Sequence, residues 1–267
     1  MRHRWCIALA VFAATTSLLQ PAALLADPIG VRHTEGLIHG FLVLRTENGE
    51  TIAEGDLTQV AAGSRVTSRL TFHFKDGSLH DETAVFSQRR TFHLLNYHLI
   101  QKGPAFPHPM DVIIDGATGR VTIHTTDDDG KDKVLTDRPH LPSDLANGMV
   151  LTLLKNIQPD APQTKVSMMV ATPKPRLVTL SISPQGEELF LVGGASRKAT
   201  HYVVHIVIGG ATGLVATLLG KQPPDYHVWI LGGEAPAFVK SEGPLFFGGP
   251  IWQIDLTSPV WPSKPGK

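Results

Sequence analysis

The chain reads as a mainly β protein: an antiparallel meander forming a curved sheet, half-barrel or barrel, with one capping helix. Three observations predict this. Apolar and polar residues alternate along most segments, the period that sends successive strand side chains to opposite faces. Asn-Gly and Asp-Gly pairs separate the alternating runs, as tight hairpins require. A single stretch departs from the rhythm, with apolar residues every fourth position.

Leu37 to Arg45 and Thr51 to Val60 flank Glu47-Asn48-Gly49-Glu50, which predicts the first hairpin. The clearest alternation runs from Arg65 to Phe74. Val66, Ser68, Leu70, Phe72 and Phe74 share one face, and Arg65, Thr67, Arg69, Thr71 and His73 share the other. Lys75-Asp76-Gly77-Ser78 turns the chain into a strand from Leu79 to Arg89. Phe92 to Lys102 follows and ends at Gly103-Pro104. Its apolar residues lie on both faces, so both sides are expected to be covered. Asp111 to Asp115 and Arg120 to Thr126 surround Gly116-Ala117-Thr118-Gly119. Later strands are expected at Lys165 to Ala171, Arg176 to Ser183, Glu188 to Val192, His201 to Ile208, Tyr226 to Leu231, Phe238 to Ser241 and Ile251 to Leu256. Turn signals about every 8–12 residues fit an all-β sheet closed on itself or on a second layer.

The exception runs from Leu141-Pro142-Ser143-Asp144 to Ile157. Ser143 is placed to cap a helix and Asp144 to meet its positive end. Leu145, Met149, Leu153 and Ile157 form one apolar stripe, and Pro159 stops the helix. Gly148 costs about 1 kcal/mol relative to Ala, so the helix is expected to depend on packing. One amphipathic helix inside a long meander acts as a lid over a curved sheet.

Residues 1–26 read as a signal peptide. Arg2, His3 and Arg4 precede an apolar run from Cys6 to Leu19, and Ala22-Ala23-Leu24-Leu25-Ala26 offers a cleavage site before Asp27. A membrane span needs about 20 predominantly apolar residues and fits less well. Residues 27–267 are expected to form one β-rich domain, periplasmic or secreted, with no transmembrane segment after cleavage. Cleavage removes Cys6, the only cysteine, and with it disulfides and thiol chemistry. It leaves 22 basic against 24 acidic side chains, a net charge of −2. That gives no basic surplus for nucleic acid.

Motif tests exclude more than they assign. Gly209-Gly210-Ala211-Thr212-Gly213 and Gly220-Lys221 resemble a phosphate-binding loop. Six residues separate Gly213 from Gly220 where four are required, and Gln222 stands where a hydroxyl should be. His201 and His205 share a strand face about 13 Å apart, too far for one metal at about 2.0–2.1 Å from each. Neighbouring strands could bring together His73, His93 and His98 with Asp81 or Glu82. Gly194-Ala195-Ser196 lacks the closing glycine of a nucleophile elbow. Asp127-Asp128-Asp129-Gly130 lacks the rest of a calcium loop and reads as a hairpin tip. Catalytic residues are therefore unassigned, and no metal or cofactor is expected.

Meandering strands, one inserted capping helix and further strands, with Phe74-Lys75-Asp76-Gly77-Ser78 and Leu141-Pro142-Ser143-Asp144-Leu145, resemble the LolA-like periplasmic half-barrel superfamily and secreted bacterial families of that shape. The resemblance implies an apolar or lipid cargo in the concave face. The leading expectation is an extracytoplasmic protein that binds an apolar or lipid-like ligand without catalysis. The expected ligand-binding residues are Met149 and Leu153 from the helix and Phe72, Phe74, Phe92 and Leu94 from the sheet. Met149 is chosen because an unbranched thioether adapts to varied shapes. Two alternatives stand beside it. One is an enzyme with a His/carboxylate site on the concave face. The other is a protein-binding scaffold using Phe246-Phe247-Gly248-Gly249-Pro250-Ile251-Trp252.

Overall fold

A computed structural model describes residues 28–126, 130–171, 175–209 and 222–257. The proposed leader, the Asp127–Asp129 run and most of the glycine-rich segment (210–221) lie outside the described residues. Fourteen strands form one antiparallel sheet. The first eight meander in sequence: β1 (Ile38–Thr46), β2 (Thr51–Ala62), β3 (Arg65–Phe74), β4 (Leu79–Gln88), β5 (Phe92–Lys102), β6 (Met110–Asp115), β7 (Arg120–Thr126) and β8 (Asp132–Asp137). The last six do the same: β9 (Thr164–Ala171), β10 (Pro175–Val192), β11 (Ala195–Val207), β12 (Tyr226–Leu231), β13 (Ala237–Gly243) and β14 (Trp252–Thr257). The two series join where β1 pairs with β14, Leu44 opposite Ile254 and Leu42 opposite Leu256. The sheet therefore has two edges, β8 and β9, and the linker between them carries the helix.

The predicted hairpins form where the turn residues placed them. Gly49 and Gly77 take positive φ, and Asp76 Oδ1 accepts the Ser78 amide at 2.9 Å. The alternation on β3 is realised: Val66, Ser68, Phe72 and Phe74 are buried, whereas Arg65, Thr67, Arg69 and His73 are exposed.

Three expectations are corrected. β8 was not anticipated, because a short edge strand with charged ends carries little apolar alternation. The stretches Arg176–Ser183 and Glu188–Val192 are one strand, β10, bent where the register shifts between Pro184 and Gly186. Its partner β11 accordingly begins at Ala195, with Gly193-Gly194 as the turn.

The third correction concerns the helix. It spans only Val150–Asn156, and Met149 rather than Ser143 precedes it, with no side-chain cap. Gly148 is the reason: its φ is +64°, outside the helical region. A Cβ there would also lie 2.7 Å from Ala84 Cβ, so glycine lets the linker descend onto β4 and β5. The apolar stripe is nevertheless real, since Leu145, Met149, Leu153 and Ile157 are all buried. Among the described residues no helix is long and apolar enough to cross a membrane.

Candidate functional site

Strand register sorts the concave side into rows. Gln59, Ser68, Ala84 and Tyr97 form one row across β2 to β5, and all four are buried. The helix sits on this row. Gln59 Nε2 donates to Thr152 Oγ1 at 3.0 Å and to Ser68 Oγ at 3.3 Å. Asn156 Oδ1 accepts the backbone amides of Arg32 and His33, both at 2.8 Å. Two rows further along the strands lie Gly55, Phe72, His80 and Gln101, again all buried. An aromatic plug covers them. Phe106 packs edge-on against Phe74 and Phe246, with ring centroids 5.3 and 5.6 Å away, and against Trp252 at 6.3 Å.

The row between these two is different. Leu57, Leu70, Glu82 and Leu99 stand side by side, and every one keeps accessible surface. Their side chains point to the concave face and their own backbone blocks the outer side. This row, the waist of the curved sheet, lies between the row under the helix and the row under the aromatic plug.

Glu82 is the one ionisable group in that row. Tyr97 OH donates to Glu82 Oε1 at 2.8 Å. Burial raises the Glu82 carboxyl above the usual carboxylate range, and the Tyr97 bond only partly offsets this. Burial first, and then the nearby Glu82 charge, raise both the Tyr97 and Tyr226 phenols. Tyr226 OH donates to Pro244 O, which fastens the loop before β14 beside the waist. The Glu82 carboxyl is thus desolvated by its surroundings although the residue is only half-buried. The waist thus offers leucine side chains and one carboxyl whose pKa burial raises, held by the buried Tyr97 phenol of the neighbouring row.

His80 borders the waist from the aromatic side. Its Nδ1 accepts from Gln101 Nε2 at 3.0 Å, so Nε2 carries the proton, and that N–H has no protein acceptor. Burial lowers the His80 pKa to about 4, against the opposing pull of Asp81.

The residues expected to bind ligand are placed as follows. Phe72, Phe74, Phe92, Met149 and Leu153 are buried members of the main core. Leu94 is partly exposed and lines a pocket of about 130 Å³ with His93, Gly116, Leu141 and Leu145. A second pocket, about 100 Å³, lies at the end of the helix by Lys155, Ile157 and Tyr202. Both are below the roughly 300–1,000 Å³ usual for ligand pockets.

His73, His93 and His98 do not converge on Asp81 or Glu82. His73 and His98 point outward, where His98 Nε2 meets Asp111 Oδ1 at 2.9 Å, while Glu82 points inward. His93 Nδ1 lies 3.1 Å from Ser143 O. His201 does share its face with His205, but its partner is on the next strand. His201 Nε2 lies 2.9 Å from His227 Nδ1, and its ring stacks on Trp229 at 4.5 Å. Lys240 stands 5.0 Å from the centroid of the same indole. Burial and His227 lower the His201 pKa. Among the described residues no group of three or more His, Cys, Asp or Glu side chains could hold a metal.

One signal in the sequence could have found the waist. The inward face of β4 reads His80, Glu82, Ala84, Phe86, Gln88, so a carboxylate sits on a face that otherwise enters the core. Leu70 was already on the inward face of β3.

No protein-family model matches the chain, and no curated protein matches it. The chain is similar in structure to a β-barrel-like protein of the domain of unknown function DUF1849 from Brucella abortus. The match covers 84% of this chain and 98% of that one, at 7% identity and a TM-score of 0.48.

Proposed function

We propose that the protein binds, without catalysis, an apolar or lipid-like small molecule that carries one hydrogen-bonding end. The row Leu57, Leu70, Glu82 and Leu99 carries this reading, because it alone keeps accessible surface between two buried rows. Leucine walls favour an apolar body. The Glu82–Tyr97 pair favours a head group able to exchange hydrogen bonds with a carboxyl group and a phenol. The ligand site proposed here lies one inward row from Phe72 and one from the row that carries the helix, so Met149 and Leu153 close one side of it while ligand contact moves to the waist. The resemblance to LolA-like carriers implies the same class of cargo. The basic-then-apolar first 26 residues support an extracytoplasmic setting, periplasmic or secreted.

The test is titration with a fluorescent long-chain fatty acid and with a labelled phospholipid. Saturable uptake is expected for the unaltered protein, with loss in Leu70→Trp, which fills the waist, and retention in Thr67→Trp on the outer face of the same strand. Absence of saturable uptake of both probes, or equal uptake by the two variants, overturns the reading.

A further inference from the structure

The two edges of the sheet are treated differently. β9 is covered by its own linker. Ala146 N donates to Ser167 O at 2.8 Å, and the Asn147 amide exchanges bonds of 2.8 and 2.9 Å with the Met169 backbone, so a side chain imitates a strand. β8, at the other end of the strand order, pairs only with β7 among the described residues. Asp132, Lys133, Val134, Thr136, Asp137 and Arg138 are exposed, Val134 at 60%. An exposed edge with unpaired backbone groups is a template for another strand unless its charges forbid pairing.

We propose that β8 pairs antiparallel with β8 of a second copy of this chain, about a two-fold axis at Leu135. The charges select this arrangement. In that register Asp132 faces Arg138 of the partner subunit and Lys133 faces Asp137 of the partner subunit, each twice by symmetry. Leu135 meets its own copy on the concave side, and Val134 meets Thr136 of the partner subunit on the outer side. A slip of one residue in one direction sets Asp132 against Asp137 of the partner subunit. A slip the other way sets Lys133 against Arg138 of the partner subunit. Parallel in-register pairing sets every charge against its own copy. Like charges directly opposite destabilise strand pairs, so these three arrangements are disfavoured against the one proposed. The segment Asp132 to Arg138 is thus complementary in charge to its own reversed copy, and the charges that guard the edge against foreign strands admit this one.

A single strand edge buries little area, which places the association in the weak class. Sedimentation velocity on the full chain, from about 1 to about 300 µM, covers that range. A monomer–dimer equilibrium is expected. Lys133→Glu or Asp137→Lys alone replaces two attractive contacts by two repulsive ones and weakens the dimer about tenfold. The double variant Lys133→Glu/Asp137→Lys restores opposite charges and returns the unaltered dissociation constant. Both positions are exposed, and urea unfolding of each variant checks that the fold is kept. A protein that stays monomeric across the range overturns the proposal, as does a double variant no tighter than either single one.

Discussion

The helix end and the aromatic end of the concave side are closed by opposite kinds of chemistry. At the helix end, polar side chains hold the lid. Gln59 reaches Thr152, Asn156 collects two backbone amides, and Tyr202 OH donates to Ile157 O at 2.7 Å. Lys155 and Glu35 form a buried ion pair at 2.5 Å, with side chains only 8% and 5% exposed. At the aromatic end, Phe74, Phe106, Phe246 and Trp252 interlock edge to face, and one buried polar atom is unmet at each end, Gln59 Oε1 under the helix and His80 Nε2 under the rings. The difference follows from the backbone. A seven-residue helix cannot hold itself in water and needs directional bonds to fix its position. The loop carrying Phe106 is already anchored by short turns: Phe106 N donates to Gly103 O at 3.0 Å and Ala105 N to Ser78 Oγ at 2.8 Å. It needs only shape at the contact.

The largest expected effect is at the aromatic end. Phe106→Ala removes the ring that touches Phe74, Phe246 and Trp252, and should cost about 4 kcal/mol in urea unfolding. A loss under about 1 kcal/mol would mean that the plug collapses onto itself and that shape is not what closes this end.

Next is the ion pair at the helix end. Lys155→Met leaves the Glu35 carboxylate buried and unpaired, and should cost about 3 kcal/mol. Adding Glu35→Gln should recover most of that loss, because the stranded charge and not the missing contact is the larger cost. Equal stability of the single and double variants would contradict a buried pair.

The third effect separates the ends by pH. His80 is held neutral in the fold, with its pKa lowered to about 4 from 6.5. Between those values the unfolded chain binds the extra proton, so stability rises with pH. The contribution is fully present above the ordinary histidine pKa and is lost as pH falls toward 4. The shift corresponds to about 3 kcal/mol at most. His80→Phe, which fits among Phe72 and Phe106, should reduce the drop in stability between pH 7.5 and pH 4. An unchanged drop would place the acid-sensitive group elsewhere.

The strands of both ends were legible in the sequence, because alternation on β3 and the Asn-Gly and Asp-Gly turns are local signals. The helix was legible as a buried stripe but not in length, since the positive φ of Gly148 is imposed by the approach of Ala84 and Tyr97 from strands far along the chain. β8 escaped because edge strands carry charges in place of core residues. The waist escaped for a different reason. Phe72 and Leu70 look equivalent in a pattern of alternating residues, and only cross-strand register shows that the first lies under a plug and the second between plugs. The sequence sets Glu82 beside Asp81 near His73, His93 and His98. Alternation puts the two carboxylates on opposite faces, and that inference was available from β4 alone.

The smallest effect sharpens the comparison most, because it belongs to neither end. Burial raises the Glu82 pKa, so the fold favours the neutral carboxyl. The corresponding stability is fully present below the ordinary carboxylate value and is lost as pH rises through the folded value, the reverse of His80. Glu82→Gln keeps an oxygen to accept the Tyr97 hydroxyl and removes the charge. The variant should match the unaltered protein below pH 4.5, where both side chains are neutral. At pH 8 it should be more stable by about 1 kcal/mol, a modest figure because water reaching the waist screens the charge. Unfolding by urea at the two pH values measures the difference directly, and the His80 contribution cancels because both proteins carry it. A difference independent of pH, or one that grows toward acid, would mean that Glu82 is fully ionised in contact with solvent, and the waist would then be no more than a surface groove.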